Sequence, residues 1–239
     1  MSLVVPAVLP SSREELKEKL ALFARIPSVK RIQIDVVDGR FVGPASWPYN
    51  APAELEEMVK HGEMLPRLDC LEYEIDLMSL DAEEAAASWL TLGATRLTFH
   101  AETATDLPRL LASARKRYGG GDGFASGLIS FGLAINIASD LALLEPCLGE
   151  IEYVQFMGIA RIGRQGQPFD RRVLEKVRMF RSRHPELPVQ VDGGISLPSA
   201  RQLVALGVTN LVVGSGILKA SNPAAALAAL EDLQGSYGV

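Results

Sequence analysis

What most constrains the fold of this 239-residue chain is its punctuation. Short apolar runs alternate with amphipathic stretches, and polar turns separate them. "LVVPAV" (3–8) leads to "PSSREELKEKLALFARI", where Ser11 or Ser12 can cap a helix with acidic residues in its first turn. "RIQIDV" leads through a long loop containing "WPYN" to a helix from about 52 to 60. "CLEYEIDLM" precedes "DAEEAAASWLTLG", a helix that Gly93 ends. The same pairing follows for "TRLTFHA" with "ATDLPRLLASARKRYG", and for "LISFGLAIN" with "DLALLEPCLG". It continues with "EIEYVQFMG" and the basic "DRRVLEKVRMFRSRH", then with "LPVQVDGG" and "LPSARQLVALG". "TNLVVGSG" and "PAAALAALEDL" close the series. Strands that alternate with helices imply a parallel sheet with right-handed crossovers. Eight units at intervals of about 30 residues predict an α/β fold, a closed (β/α)8 TIM barrel spanning residues 1–239 as one domain. "YGGGDG" (118–123) reads as a loop between a helix and a strand.

Composition excludes several classes of function. A formal charge of -5 and a pI near 5.3 argue against a nucleic-acid footprint. No apolar run approaches the ~20 residues that cross a bilayer, so no membrane partner is expected. The opening "MSLVVPAVLPSS" lacks the basic start and cleavage pattern of a secretory signal. Cys70 and Cys147 have no metal or redox spacing and read as free thiols in a reducing cytosol.

Active sites of such barrels lie at the C-terminal ends of the strands. There the sequence places Asp35 and Asp38 after strand two, Asp76 after strand three and His100 after strand four. Asn136 follows strand five, Met157 closes strand six, and Asp192 with Gly193 and Gly194 follows strand seven. Gly214 and Ser215 follow strand eight. Gln33 and Asp35 share a face, because side chains alternate along a strand. Buried carboxylates gathered at one mouth need partners or a function, since like charges raise one another's pKa and cost stability. The "DGG" and "GSG" turns end the two strands where a phosphate site is expected, with backbone N–H groups as donors. Asp38, beside Gly39, reads as a turn residue, and His100 as a hydrogen-bonded core histidine. Met78 and Met157 are expected to line the substrate cavity. Trp47 and Tyr49 are expected either over the site or in a subunit contact, and the basic helix 171–183 on a solvated face.

These residues resemble the ribulose-phosphate 3-epimerase family over nearly the whole chain. The resemblance rests on "VPAVLP", "IDVVDGRFV", "IDLM", "TFHAE", "GLAIN", "VQFM", "PFDRRVLEKVR", "VQVDGGI" and "LVVGSGIL". It implies an isomerase that epimerises C3 of a ketose phosphate, most simply ribulose 5-phosphate to xylulose 5-phosphate. Asp35 and Asp192 correspond to the two proton-transferring aspartates, and Gly193, Gly194, Gly214 and Ser215 to the phosphate site, with Met78, Met157 and Asn136 near the substrate. The family's metal site corresponds to Gln33, Asp35, Asp76 and Asp192, but Gln33 and Asp76 stand where the family has histidines. An all-oxygen set suits Mg2+ or Mn2+ better than Zn2+; the alternative is no metal. Ala7 and Val37 replace a serine and a methionine, and "GIARIGRQGQPF" replaces a Pro-Gly-Phe-Gly-Gly loop and is one residue longer. A hexulose-6-phosphate epimerase and a catalytically inactive sugar-phosphate binder therefore stay open. A lyase is disfavoured because no lysine ends a strand. The expected partners are a small sugar phosphate and other copies of the chain, as a homo-oligomer.

Overall fold

The computed structural model describes residues 3–104, 106–119 and 127–236. Its eight strands are β1 (Val4–Val8), β2 (Arg31–Val37), β3 (Glu72–Met78), β4 (Arg96–His100), β5 (Ser130–Ile135), β6 (Tyr153–Met157), β7 (Val189–Asp192) and β8 (Asn210–Val213). They close in sequence order into a parallel barrel, with β1 pairing to both β2 and β8. The helices are α1 (Arg13–Phe23), α2 (Pro52–Lys60), α3 (Ala82–Thr91), α4 (Leu107–Ala114), α5 (Arg172–Arg183), α6 (Leu197–Ala205), α7 (Ser215–Leu218) and α8 (Pro223–Ser236).

Local signals set these boundaries. Ser12 caps α1 by accepting from the Glu15 N–H, and the helix buries Leu16, Leu20 and Phe23. Gly93 follows α3 at φ +98°, a left-handed position that favours glycine. Two expected helices are altered. "DLALLEPCLG" forms 3₁₀ turns, Leu141–Leu143 and Glu145–Glu150, where Pro146 has no N–H to continue an α-helix. The helix after β4 stops at Ala114 and widens into a π turn over Arg115–Gly119. Residues 120–123 of the glycine-rich "YGGGDG" lie outside the described residues.

The main apolar core lies between the strands and the helices around them, and includes Phe23, Trp89, Phe99, Phe131 and Phe156. Trp47 belongs to it. It neither covers the site nor faces solvent: it is fully buried, meets Trp89 edge-on at 5.9 Å and donates from Nε1 to Glu54 at 2.8 Å. Truncating such a residue costs about 3–5 kcal/mol. Asp38 is a turn residue, accepting from the N–H groups of Arg40, Phe41 and Leu80. On α5, Val173, Val177 and Phe180 face inward. One basic residue there is structural: Lys176 donates to the carbonyls of Asn136 and Ser139, tying the end of β5 to α5.

The barrel interior is different. Its inward positions carry Gln33, Glu74, Asp76, Thr98, His100, Gln155 and Gln190, all buried. Barrels of this type usually fill that space with branched aliphatic residues. Gly132 is required here, because a Cβ at that position would strike the ring of Tyr153.

Candidate active site

Strand alternation builds the site in two layers. On four strands a polar residue sits two positions before one nearer the mouth: Gln33 and Asp35, Glu74 and Asp76, Gln155 and Met157, Gln190 and Asp192. Register makes the lower residues neighbours, with Gln33 beside Glu74 and Gln155 beside Gln190.

The lower layer is anchored on Glu74. This buried carboxylate accepts from Arg96 Nε at 2.9 Å, Thr98 Oγ1 at 3.1 Å and Gln190 Nε2. The Arg96 guanidinium in turn stacks 3.9 Å from the centre of the Tyr153 ring. Gln190 Nε2 also donates to Gln155 Oε1 at 2.6 Å, and Gln155 Nε2 donates to Asp76 Oδ2 at 3.1 Å. The second Asp76 oxygen hydrogen-bonds with His100 Nε2 at 2.9 Å. Thus β3, β4, β6 and β7 are linked below the mouth by side chains alone.

Above them, Gln33 Nε2 donates to Asp35 Oδ1 at 2.8 Å and to Asp192 Oδ2 at 3.2 Å. Asp35 and Asp192 are 6% and 9% exposed, so both reach the cleft yet are largely cut off from water. Burial pushes the Asp35 carboxyl up from 3.8 to about 8, and the Asp76 charge adds to it, while the Gln33 amide opposes the rise. The Asp192 carboxyl is also raised well above its ordinary value, first by burial and then by Asp35 and Asp76.

One oxygen each of Asp35, Asp76 and Asp192 lies within 4.8 Å of the others, so the three buried carboxylates could hold a divalent cation. They fit such an ion as a hard, all-oxygen set that lacks positive charge. Gln33 turns its amide nitrogen toward Asp35 and Asp192.

The mouth is a cleft that opens beside the two aspartates. Ala7, Met78, Met157, Gly193, Gly194, Gly214 and Ser215 line it, with Arg164 and Gln165 from the β6–α5 loop. Gly194 has φ +69°, and a Cβ there would come within 2.6 Å of the Phe169 backbone. Only glycine fits that turn. The expected residues therefore fall into two groups. Asp35, Asp192, both methionines and the four turn residues share the cleft, while Gln33 and Asp76 lie buried beneath it. Asn136 does not line the cleft; its backbone N–H donates to Glu102 and its carbonyl accepts from Lys176. Glu74, Gln155 and Gln190 were not singled out from the sequence, although the same alternation that marks Gln33 also marks them.

A closed parallel barrel with buried acids and glycine turns at one mouth has the layout of a barrel enzyme's active site. A sequence model of the ribulose-phosphate 3 epimerase family matches residues 3–218, and the chain belongs to that family of carbohydrate-phosphate isomerases. The ribulose-phosphate 3-epimerase of Mycobacterium leprae is 28% identical over 98% of this chain and 96% of its own length. The cytoplasmic isoform from Oryza sativa subsp. japonica is 26% identical, covering 98% of this chain and 95% of the relative. Among solved structures, KGPDC from Streptococcus mutans superposes with a TM-score of 0.65 at 15% identity, covering 98% of this chain and 97% of the other. The 3-hexulose-6-phosphate synthase from Salmonella typhimurium superposes with a TM-score of 0.65 at 16% identity over both whole chains. At those identities the superpositions speak for the fold. No helix among the described residues is long and apolar enough to cross a membrane.

Proposed function

We propose that this protein epimerises C3 of a ketose 5-phosphate, interconverting ribulose 5-phosphate and xylulose 5-phosphate. The observation that carries the reading is the meeting, in one cleft, of Asp35 and Asp192 with the Gly193–Gly194 and Gly214–Ser215 turns.

The turns take the phosphate on backbone N–H groups, which fixes the length of the sugar against the two aspartates. A C–H next to a carbonyl is weakly acidic, and a base near it must hold its proton loosely at working pH. Asp35 and Asp192 suit that task because burial raises the proton affinity of both, that of Asp35 to about 8. In its ionised form one removes the C3 proton; in its protonated form the other returns a proton to the opposite face. Gln33 donates to both, so it fixes their orientation and offsets their charge. Met78 and Met157 line the cleft and exclude water from the reacting carbon. A divalent ion, when bound, would be held by Asp35, Asp76 and Asp192 and would supply positive charge to the enediolate oxygens. The oxygen set favours Mg2+ or Mn2+ over Zn2+.

Proton exchange tests the reading. The protein is incubated with D-ribulose 5-phosphate in heavy water, and C3 is followed by NMR, with a ketohexulose 6-phosphate in parallel. Deuterium entering C3 of the pentulose with formation of xylulose 5-phosphate is expected. Exchange confined to the hexulose, or binding without exchange, overturns it.

A further inference from the structure

The β6–α5 loop brings Arg164, Gln165 and Gln167 to the cleft, and the chemistry above uses none of them. Resting on the proposed function, we infer that Gln165 recognises the hydroxyl on C4 of the ketose phosphate and is a specificity-determining residue.

The loop is built to aim it. Gly163 and Gly166 flank Arg164 and Gln165, and both have left-handed backbones, φ +77° and +80°. A Cβ at Gly163 would come within 2.9 Å of the Val42 side chain, so the bend is packed as well as turned. Ile159 and Ile162 are buried against Val37, Met78 and Met157, which seats the start of the loop on the barrel mouth. Arg164 and Gln165 both line the cleft; Arg164 Nε is engaged at 3.4 Å by the carbonyl of Gly43, whereas the Gln165 amide has only a long contact, to Ala7.

Two contacts place that amide, in a cleft that Asp35 also lines. Gln165 Nε2 is 3.4 Å from the carbonyl oxygen of Ala7, a long and weak bond. The same nitrogen is 2.5 Å from where a Cβ on Gly214 would stand. The amide thus occupies the gap between the aspartate that marks the reacting carbon and the turn that marks the phosphate. In a ketose 5-phosphate the chain between C3 and the phosphoryl oxygen is C4, with its hydroxyl, and the C5 methylene. The hydroxyl is the one polar group that must lie in this gap. A primary amide has two hydrogens and an acceptor oxygen. The hydrogen bond to Ala7 is long and weak, so an amide hydrogen can be exchanged for the sugar oxygen.

The test compares two enzymes and two ligands. Affinities for D-ribulose 5-phosphate, its 4-deoxy analogue and inorganic phosphate are measured by calorimetry for the intact protein and for Gln165→Ala. One neutral hydrogen bond corresponds to roughly a 3- to 10-fold change in affinity. The intact protein should bind the 4-deoxy analogue weaker by that factor. Gln165→Ala should bind both sugars alike, at the weaker level, with phosphate affinity unchanged. A variant that still prefers the 4-hydroxyl overturns the inference, as does one that loses phosphate binding in step, since Gln165 would then act through the phosphate turn. If the intact protein binds phosphate but neither sugar, the proposed function fails and takes this inference with it. Gln165→Asn, which keeps the amide one methylene shorter, should retain part of the discrimination; none retained in a folded variant with normal phosphate affinity would also count against the assignment.

Discussion

Replacing Asp76 by asparagine should change stability by different amounts at the two ends of the pH range. In the fold the Asp35 carboxyl is raised from 3.8 to about 8, so between those values the native state holds a proton that the unfolded chain does not. Stability from this group is therefore greatest at low pH and falls as pH rises toward 8. The displacement corresponds to roughly 6 kcal/mol in all at about 1.36 kcal/mol per pH unit. Burial is its first cause and the Asp76 charge its second. With carboxylate oxygens within 4.8 Å, the repulsion is roughly 3 kcal/mol at an effective dielectric near 20. Asp76→Asn removes that repulsion where Asp35 is ionised and leaves little to remove where it is protonated. It also disturbs the bonds to His100 and Gln155, but at every pH. The difference between the two conditions isolates the charge effect. Thermal unfolding in chelator, at pH 5 and pH 9, should give a Tm change for the variant that is about 5–10 °C more favourable at pH 9. A change that is the same at both pH values, within about 1 °C, refutes the repulsion. Repeating the scan in Mg2+ or Mn2+ should reverse the sign at pH 9 if the cluster takes the ion, because the variant then lacks a ligand.

Asp35→Asn and Asp192→Asn should each lower kcat by at least about 10²–10⁴-fold while leaving inorganic phosphate affinity within about twofold; either variant retaining a near-normal rate removes that residue from proton transfer. Glu74→Gln should destabilise the protein by about 3–5 kcal/mol, since Arg96 keeps a largely buried charge without its carboxylate, and the loss should shrink in the Glu74→Gln, Arg96→Met pair, read by denaturant unfolding. Gly194→Ala should cost both stability and phosphate affinity, because the new methyl meets the Phe169 backbone, and a variant that binds phosphate normally would place the anion elsewhere.

The barrel was legible in the sequence because its signals are local. The strands are short, largely apolar runs, α1, α4 and α6 carry side-chain caps, and the glycines after β7 and β8 mark their turns within three residues of the strand end. The meeting of Asp35 with Asp192 was legible for the same reason: barrel topology sends every strand end to one mouth. Trp47 was not, since its burial depends on α2 and α3 closing over the loop. Nor was the short helical path after β5, where Pro146 interrupts a pattern that reads as amphipathic. The partners in the lower layer were hidden for a deeper reason. Alternation says that Glu74, Gln155 and Gln190 point inward, but only the register between strands says which of them touch.

That lower layer explains how Asp76 can sit beneath Asp35 and Asp192. Glu74, held by Arg96, can only accept, so Gln190 must turn its amide hydrogens toward it. Gln190 then gives its remaining hydrogen to the Gln155 oxygen, which leaves the Gln155 nitrogen to face Asp76. Each amide fixes the sense of the next, and the chain ends with an N–H on a carboxylate of the site. Gln33 does the same for Asp35 and Asp192. An amide carries no full charge, so it orients and partly screens a carboxylate without neutralising it. The raised proton affinities of Asp35 and Asp192 are what remains after that screening. Gln33 thus leaves the two acids oriented and short of positive charge, with both proton affinities raised.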